Sequence, residues 1–340
     1  ANMGRFMKDR EWSRYEAESE MQHALVDDEF WSDSGHYYAY GKNSDGSFRR
    51  EQTILPAVPV LFGMAARENA QVMLNQVASN VFTTNWGARI LREDSPWFKP
   101  TGYHYGSVWP LFTGWASLAE YSVKMPVQGF GHLMNNLNIY LNWGLGLVEE
   151  VMNGAVYQPS GVCAHQCWSE TMVLQPAVEG MLGLEVDAGK KELTLSPQPP
   201  PQWDSLSVSR IRMGEQTADF HFRRTAKGCR YRFLLSHGEP VTVRFMPAFA
   251  PGTEVLGVTM DGKPVPFTSF KDELQSAVLL TFTLSGNTQV EIETTGGISV
   301  LPVVQDPKPG DPAEGLRILA ARLRGNRYEI EAEGLSGSSG

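Results

Sequence analysis

Residues 190–214, KKELTLSPQPPPQWDSLSVSRIRMG, divide the chain into two kinds of sequence. The prolines Pro199, Pro200 and Pro201 forbid a helix there. Beyond them, apolar and polar residues alternate with the period of two that a half-buried strand requires. The alternation recurs in SVSRIRMG, TADFHFRRT, CRYRFLLSH, VTVRFMPA, AVLLTFTLSG and TQVEIETTG, with MDGKPV (260–265) as a hairpin turn. These short strands predict an antiparallel β-sandwich over residues 190–302. Residues 303–340 read as a linker, VVQDPKPGDPAE, and the start of a further β-unit, LRILAARLRGNRYEIEAEGLSGSSG after Gly315.

Ahead of Lys190 the pattern is different. Apolar residues recur at helical spacing in TILPAVPVLFGMA, ENAQVMLNQVASNVF, SVWPLFTGWASLAEYSV, FGHLMNNLNIYLNWGLGL and HQCWSETMVLQPAVEGMLGL. With one more helix leading up to Phe30, about six helices are expected over residues 1–189. Long aromatic loops join them, such as TTNWGARILREDSPWFKPTGYHYG (83–106). Loops of that length inside a compact domain are usually functional.

Composition narrows the function classes. The chain has 340 residues, 42% hydrophobic and 11% aromatic, enough for a sizeable core. Its 29 basic and 38 acidic residues give a net charge of −9, and no Lys/Arg stripe suits a phosphate backbone, so nucleic acid is not an expected partner. No run approaches the roughly 18 apolar residues of a membrane helix. A soluble protein is expected, and a periplasmic or secreted location is compatible with the sequence. Three cysteines make no disulfide framework. Cys163, His165 and Cys167 in CAHQC lack a fourth ligand and a zinc-site spacing, so neither metal nor cofactor is expected.

Three clusters mix aromatic faces with fixed hydrogen-bonding groups, the combination that a sugar's C–H faces and hydroxyls call for. NWGARI supplies Trp86 and Arg89. YHYGSVWP supplies Tyr103, His104 and Trp109. CAHQCWSE supplies His165, Gln166, Trp168 and Glu170. Carboxylates are the second ingredient. GLVEEVMNG places Glu149 and Glu150 at the expected end of an apolar helix, where the macrodipole disfavours acids, and general-base work is one reason to keep them there.

Taken in order, these segments resemble the C-terminal half of the catalytic domain of six-hairpin glycosidases. The likeness is to glycogen-debranching amylo-α-1,6-glucosidases and to bacterial enzymes similar to glycoside hydrolase family 63. That family's "YHNGTVWP"-type segment, its acid four before a glycine ("ELFDG", "EHFDG") and its "Q-x-W-S" helix start correspond here to YHYGSVWP, EVMNG and QCWS. The resemblance covers roughly residues 20–230. It implies about six of the twelve helices of an all-α (α/α)6 toroid ahead of the sandwich, and inverting hydrolysis of α-linked, glucose-type sugars. It implies Glu150 as general base, with Glu149 the alternative, and the aromatic clusters as the sugar subsite. The family's general acid has no matching segment, since Asp27, Asp28 and Asp33 lie in no matching motif. The chain is therefore expected to be a fragment whose partner is the missing half of the barrel. The alternatives are a sugar phosphorylase, which keeps phosphate where the hydrolase keeps its base, and a non-catalytic carbohydrate-binding protein.

Overall fold

The computed structural model describes residues 2–49 and 51–334. Its helices are α1 (Asn2–Phe6), α2 (Trp12–Phe30), α3 (Ala57–Leu61), α4 (Arg67–Val77), α5 (Pro110–Ser122), α6 (Pro126–Asn142) and α7 (Cys167–Gln175). Short hairpins interrupt them: β1 (Trp31–Ser32) with β2 (Tyr37–Tyr38), and β3 (Thr83–Thr84) with β4 (Gly87–Ala88). The remaining strands are β5 (Glu185–Asp187), β6 (Glu192–Leu195), β7 (Ser205–Met213), β8 (Gln216–Thr225), β9 (Gly228–His237), β10 (Val241–Phe245), β11 (Ala248–Phe249), β12 (Thr253–Met260), β13 (Lys263–Pro264), β14 (Thr268–Lys271), β15 (Ser276–Leu284), β16 (Asn287–Gly296), β17 (Arg317–Arg324) and β18 (Arg327–Glu333).

This is a mixed fold, and the expected all-α toroid is not what forms. Helix accounts for 25% of the chain and strand for 33%, so no ring of long paired helices dominates it. The physical reason lies in the breakers. Pro56, Pro59 and Gly63 confine α3 to five residues, and α6 stops at Asn142, just before Trp143 and Gly144. α7 gives way at Pro176, which cannot donate to the ladder, and continues as one π-helical turn over Pro176–Met181.

Helix α5 is the centre of the helical region and packs on α3, α6 and α7. It is apolar almost all round, burying Ala116, Leu118, Ala119 and Tyr121. Helix α4 is amphipathic and buries Ala70, Met73, Leu74 and Val77, the i, i+3, i+4, i+7 stripe. A polar bridge ties three elements at their buried contact. Glu120 of α5 meets His132 Nδ1 of α6 at 2.8 Å, and His132 Nε2 meets Thr83 Oγ1 of β3 at 2.9 Å.

The later strands form two six-stranded sheets, in the orders β11-β15-β10-β6-β5, with β14 beside β15, and β13-β12-β16-β9-β8-β7. Their facing sides share one core, to which Leu195, Val243 and Phe245 come from the first sheet and Phe220, Phe233 and Ile292 from the second. The alternation is visible in β8, where Gln216, Ala218, Phe220 and Phe222 are buried and the residues between them are more open. At the β12–β13 turn, Asp261 and Gly262 both take positive φ, 51° and 78°, as a two-residue I′ turn requires. One expectation needs correcting: the first sheet is not purely antiparallel, because β6 lies parallel to β10.

The hairpin β17–β18 returns to the helical region. Arg317 donates to Asn85 Oδ1, Gln128 Nε2 of α6 donates to Leu319 O at 2.9 Å, and Asn80 N donates to Glu333 Oε2 at 3.0 Å. Residues 335–340, expected within the further β-unit, lie outside the described residues.

Candidate active site

Two sequence-distant segments are stitched side by side. Val108 N donates to Met152 O and Met152 N to Val108 O, each at 2.9 Å, and further bridges run from Val108 to Arg89 and from Met152 to Pro159. This places YHYGSVW against EEVMNG. Gly154 makes the approach possible: a Cβ there would stand 2.0 Å from Gly106 O, so no other residue fits without moving backbone. Gly154 N donates to Pro100 O at 2.8 Å.

Within that frame Tyr103 donates its phenol proton to Glu150 Oε1 at 2.6 Å. The Trp109 indole donates to Tyr103 O at 2.8 Å and fixes the tyrosine backbone. The His104 and Trp109 rings are stacked at 5.6 Å with 8° between their planes, and Tyr103 sits edge-on to both, at 4.7 and 4.4 Å. Tyr103 and His104 face solvent, whereas Trp109 backs them from within. The structure therefore brings Tyr103, His104, Trp109 and Glu150 into one constellation. The hydrogen bond to the Glu150 carboxylate, with burial and that negative charge adding to it, pushes the Tyr103 phenol up to about 12. It remains a donor at neutral pH.

The carboxylates are not at a helix end. Residues 147–151 are irregular, five and more residues beyond the end of α6, so the macrodipole does not bear on them. Both are nearly buried, at 6% exposure each. Glu150 N donates to Cys163 O at 2.9 Å, and Gln166 N to Val148 O at 3.2 Å, which lays the CAHQCWSE loop alongside. Glu150 is the one that Tyr103 reaches. Glu149 has no side-chain hydrogen bond with the described residues, and burial raises its pKa.

The remaining predicted residues divide. Trp86 and Arg89 are fully buried beneath the site, so neither offers a surface to a sugar. The Trp86 indole donates to Asn153 O at 2.8 Å, and Arg89 Nε donates to Gly154 O and Nη1 to Asn80 O, each at 2.6 Å. Arg89 Nη2 lies 3.1 Å from Glu93. Their contacts hold the turn that follows the carboxylates. On the other side Trp168 is 42% exposed in the first turn of α7, Gln166 stands at its N-cap, and His165 Nε2 lies 3.1 Å from Glu170 Oε1. Cys163 Sγ donates to His165 O at 3.0 Å. Among the described residues no group of three His, Cys, Asp or Glu side chains is arranged to hold a metal ion.

Sequence reasoning passed over Asn153, whose Oδ1 accepts from Ala155 N at 2.8 Å and Val156 N at 3.2 Å and closes the turn. It also passed over Trp97 and Tyr105, exposed on the long aromatic loop. The position of Asn just before the Gly of EVMNG was a legible turn signal.

Comparison with known proteins bears on this geometry. Residues 1–120 match a mannosylglycerate hydrolase MGH1-like glycoside hydrolase domain. No relative is found among curated proteins. Among solved structures, an α-L-rhamnosidase from Dictyoglumus thermophilum is 12% identical, with a TM-score of 0.51 over 86% of this chain and 30% of that one. A GH63 mannosylglycerate hydrolase from Thermus thermophilus is 12% identical, with a TM-score of 0.43 over 52% of this chain and 40% of that one. The chain thus spans well under half the length of these structures. The match over residues 1–120 likens that part of the chain to a glycoside hydrolase domain, and the rhamnosidase is similar to the chain in fold. Among the described residues, no helix is long and apolar enough to cross a membrane.

Proposed function

We propose that this chain carries the general base of an inverting glycoside hydrolase acting on α-linked, glucose-type oligosaccharides. The observation behind this reading is the 2.6 Å hydrogen bond from Tyr103 to Glu150, which holds a nearly buried carboxylate at the edge of an exposed aromatic cluster. Tyr103 occupies Oε1 and leaves Oε2 to take a proton from water. The solvent-facing His104 ring, backed by Trp109, offers a flat surface for a pyranose, and Trp168 offers a second. Trp86 and Arg89 act as positioning residues through the Asn153–Gly154 turn.

An inverting hydrolase needs a second carboxyl roughly 6.5–9.5 Å from the base. A further polypeptide segment supplies this acid. Helix α2 supports such a segment, because none of its 19 residues is buried and Met21 is 54% exposed.

A substrate that needs no acid isolates the base. Fluoride leaves without protonation, so residues 1–340 should hydrolyse α-glucosyl fluoride and leave natural α-linked oligosaccharides intact. Proton NMR should show β-glucose as the first product. Glu150→Gln keeps the size but not the basicity, and the rate should fall by roughly 10²–10⁴-fold. First release of α-glucose, or an unimpaired Glu150→Gln variant, would refute the assignment.

A further inference from the structure

A cavity of about 530 Å³ opens where the helical region, the sheets and the β17–β18 hairpin meet, within the roughly 300–1,000 Å³ of small-molecule sites. It is far from Glu150. Trp109 is the N-cap of α5, whereas Lys124, just past the other end of that 13-residue helix, lines the cavity, which places the two sites about 20 Å apart along the helix.

Its charge is one-sided. Lys124, Arg224, Lys227 and Arg322 line it, and among the described residues no aspartate or glutamate does. None of these four cations pairs with a carboxylate among the described residues, although the chain as a whole is acidic at −9. The carboxylates closest in sequence to the lining residues Leu274 and Gln275 are already engaged, Asp272 by Arg67 at 2.9 Å and Glu273 by Arg324 at 3.2 Å. The first turn of α6, with Val127 and Gln128 on the cavity wall, has no side-chain cap and presents free N–H groups and the positive end of the helix dipole. A second feature asks for a different group. Gln198, which also lines the cavity, is 7% exposed, its Nε2 is committed to Tyr121 O at 3.3 Å, and its Oε1 has no partner. A buried acceptor left open is costly unless a donor reaches it.

We infer that this cavity is a second ligand site, for a small anion that also carries hydroxyl groups: a phosphorylated or carboxylated sugar. The four cations and the α6 N-terminus receive the anionic group, and Gln198 Oε1 accepts from a hydroxyl. Burial, and after it the nearby Arg67, lowers the Lys124 ammonium's pKa, with Asp272 only partly offsetting them, a cost that a bound anion would relieve.

Calorimetric titration of the whole chain tests this, with glucose 6-phosphate, gluconate, glucose and inorganic phosphate as probes. Saturable binding of glucose 6-phosphate or gluconate, weakened by added salt, is expected, and which of the two binds tighter identifies the anionic group. Lys124→Gln should weaken it about tenfold, as loss of a charge-assisted contact does. Should that variant fail to fold, the double variant Lys227→Gln/Arg322→Gln, at an exposed and a half-buried position, carries the same expectation. Glu150→Gln should bind as the parent does, which separates this site from the proposed active site. Absence of binding by both sugar anions, or binding indifferent to the cation substitutions, would overturn the site. Equal affinity for inorganic phosphate and glucose 6-phosphate would overturn the role of Gln198.

Discussion

The two sheets and the helical region solve the burial problem in opposite ways. Between the sheets, apolar side chains from both faces merge into a single core, and the polar side chains buried in those strands, Gln216, Thr253, Ser276 and Thr288, carry no charge. The helical region divides its apolar residues among separate clusters and buries Arg89, Glu120, His132, Asn135 and Asn136 beside them. The sheets are held by packing, and the candidate site is held by hydrogen bonds aimed at particular backbone oxygens. The lesson is one of division of labour. Packing gives stability that is indifferent to direction, whereas directed polar contacts set the position of a few atoms at some cost in stability.

That contrast can be broken most forcefully in the β core. Phe233 packs on Phe220, Phe245 and Phe282 at centroid distances of 5.2, 5.1 and 5.3 Å. Phe233→Ala should cost about 3–5 kcal/mol in denaturant unfolding. The folded fraction should still turn over α-glucosyl fluoride at the parent rate, and a lower rate per folded molecule would mean that the sheets help to shape the site.

Arg89→Met is the converse experiment. It keeps much of the apolar volume but strips donors from Gly154 O and Asn80 O and leaves Glu93 unmatched. A loss of about 2–3 kcal/mol is expected from the stranded acceptors. Turnover should fall by more than tenfold, since the Asn153–Gly154 turn would no longer hold Glu150 against Tyr103. Stability lost without any loss of turnover would show that Arg89 is structural only.

The smallest effect sharpens the comparison within the site. Burial raises the Glu149 pKa, so the folded chain favours the protonated form. Its contribution is complete below the ordinary glutamate range and is lost as pH climbs through that range to the raised folded value. Glu149→Gln removes this slope. The variant and the parent should therefore unfold alike near pH 3.5, and at pH 7 the variant should be the more stable by less than about 1 kcal/mol. A parent that gains on the variant as pH rises would mean that the carboxylate is stabilised by a partner.

How far the sequence was legible follows the same line. The strands could be read because their signal is local: a period of two in TADFHFRRT is already the burial pattern of β8. That β6 would align parallel to β10 could not be read, since the register joins Leu193 to Val243 across some fifty residues. Helical spacing marked where helices exist but not where Pro59, Trp143 or Pro176 would end or alter them, and the toroid came from the resemblance in YHYGSVWP, EVMNG and QCWS, which says nothing of those breakers. At the site, the aromatic segment and the acid before glycine were visible. The position of Glu149 and Glu150 was misjudged because bridges to Val108 and Cys163, not helix propagation, fix that segment. Trp86 and Arg89 attracted attention by residue type, but type does not reveal which side of a turn a side chain supports.

The β17–β18 hairpin has a consequence in time as well as in space. Asn85 and Arg317 are 232 positions apart in sequence, and Asn80 and Glu333 are 253 apart. Chains are synthesised from the N-terminus, and early domains ordinarily fold as they emerge. The β3–β4 neighbourhood cannot complete its polar contacts on that schedule. Asn80 and Asn85 must wait until both sheets have been translated, whereas the Trp86 and Arg89 contacts with Asn153, Gly154 and Asn80 can form before either sheet exists.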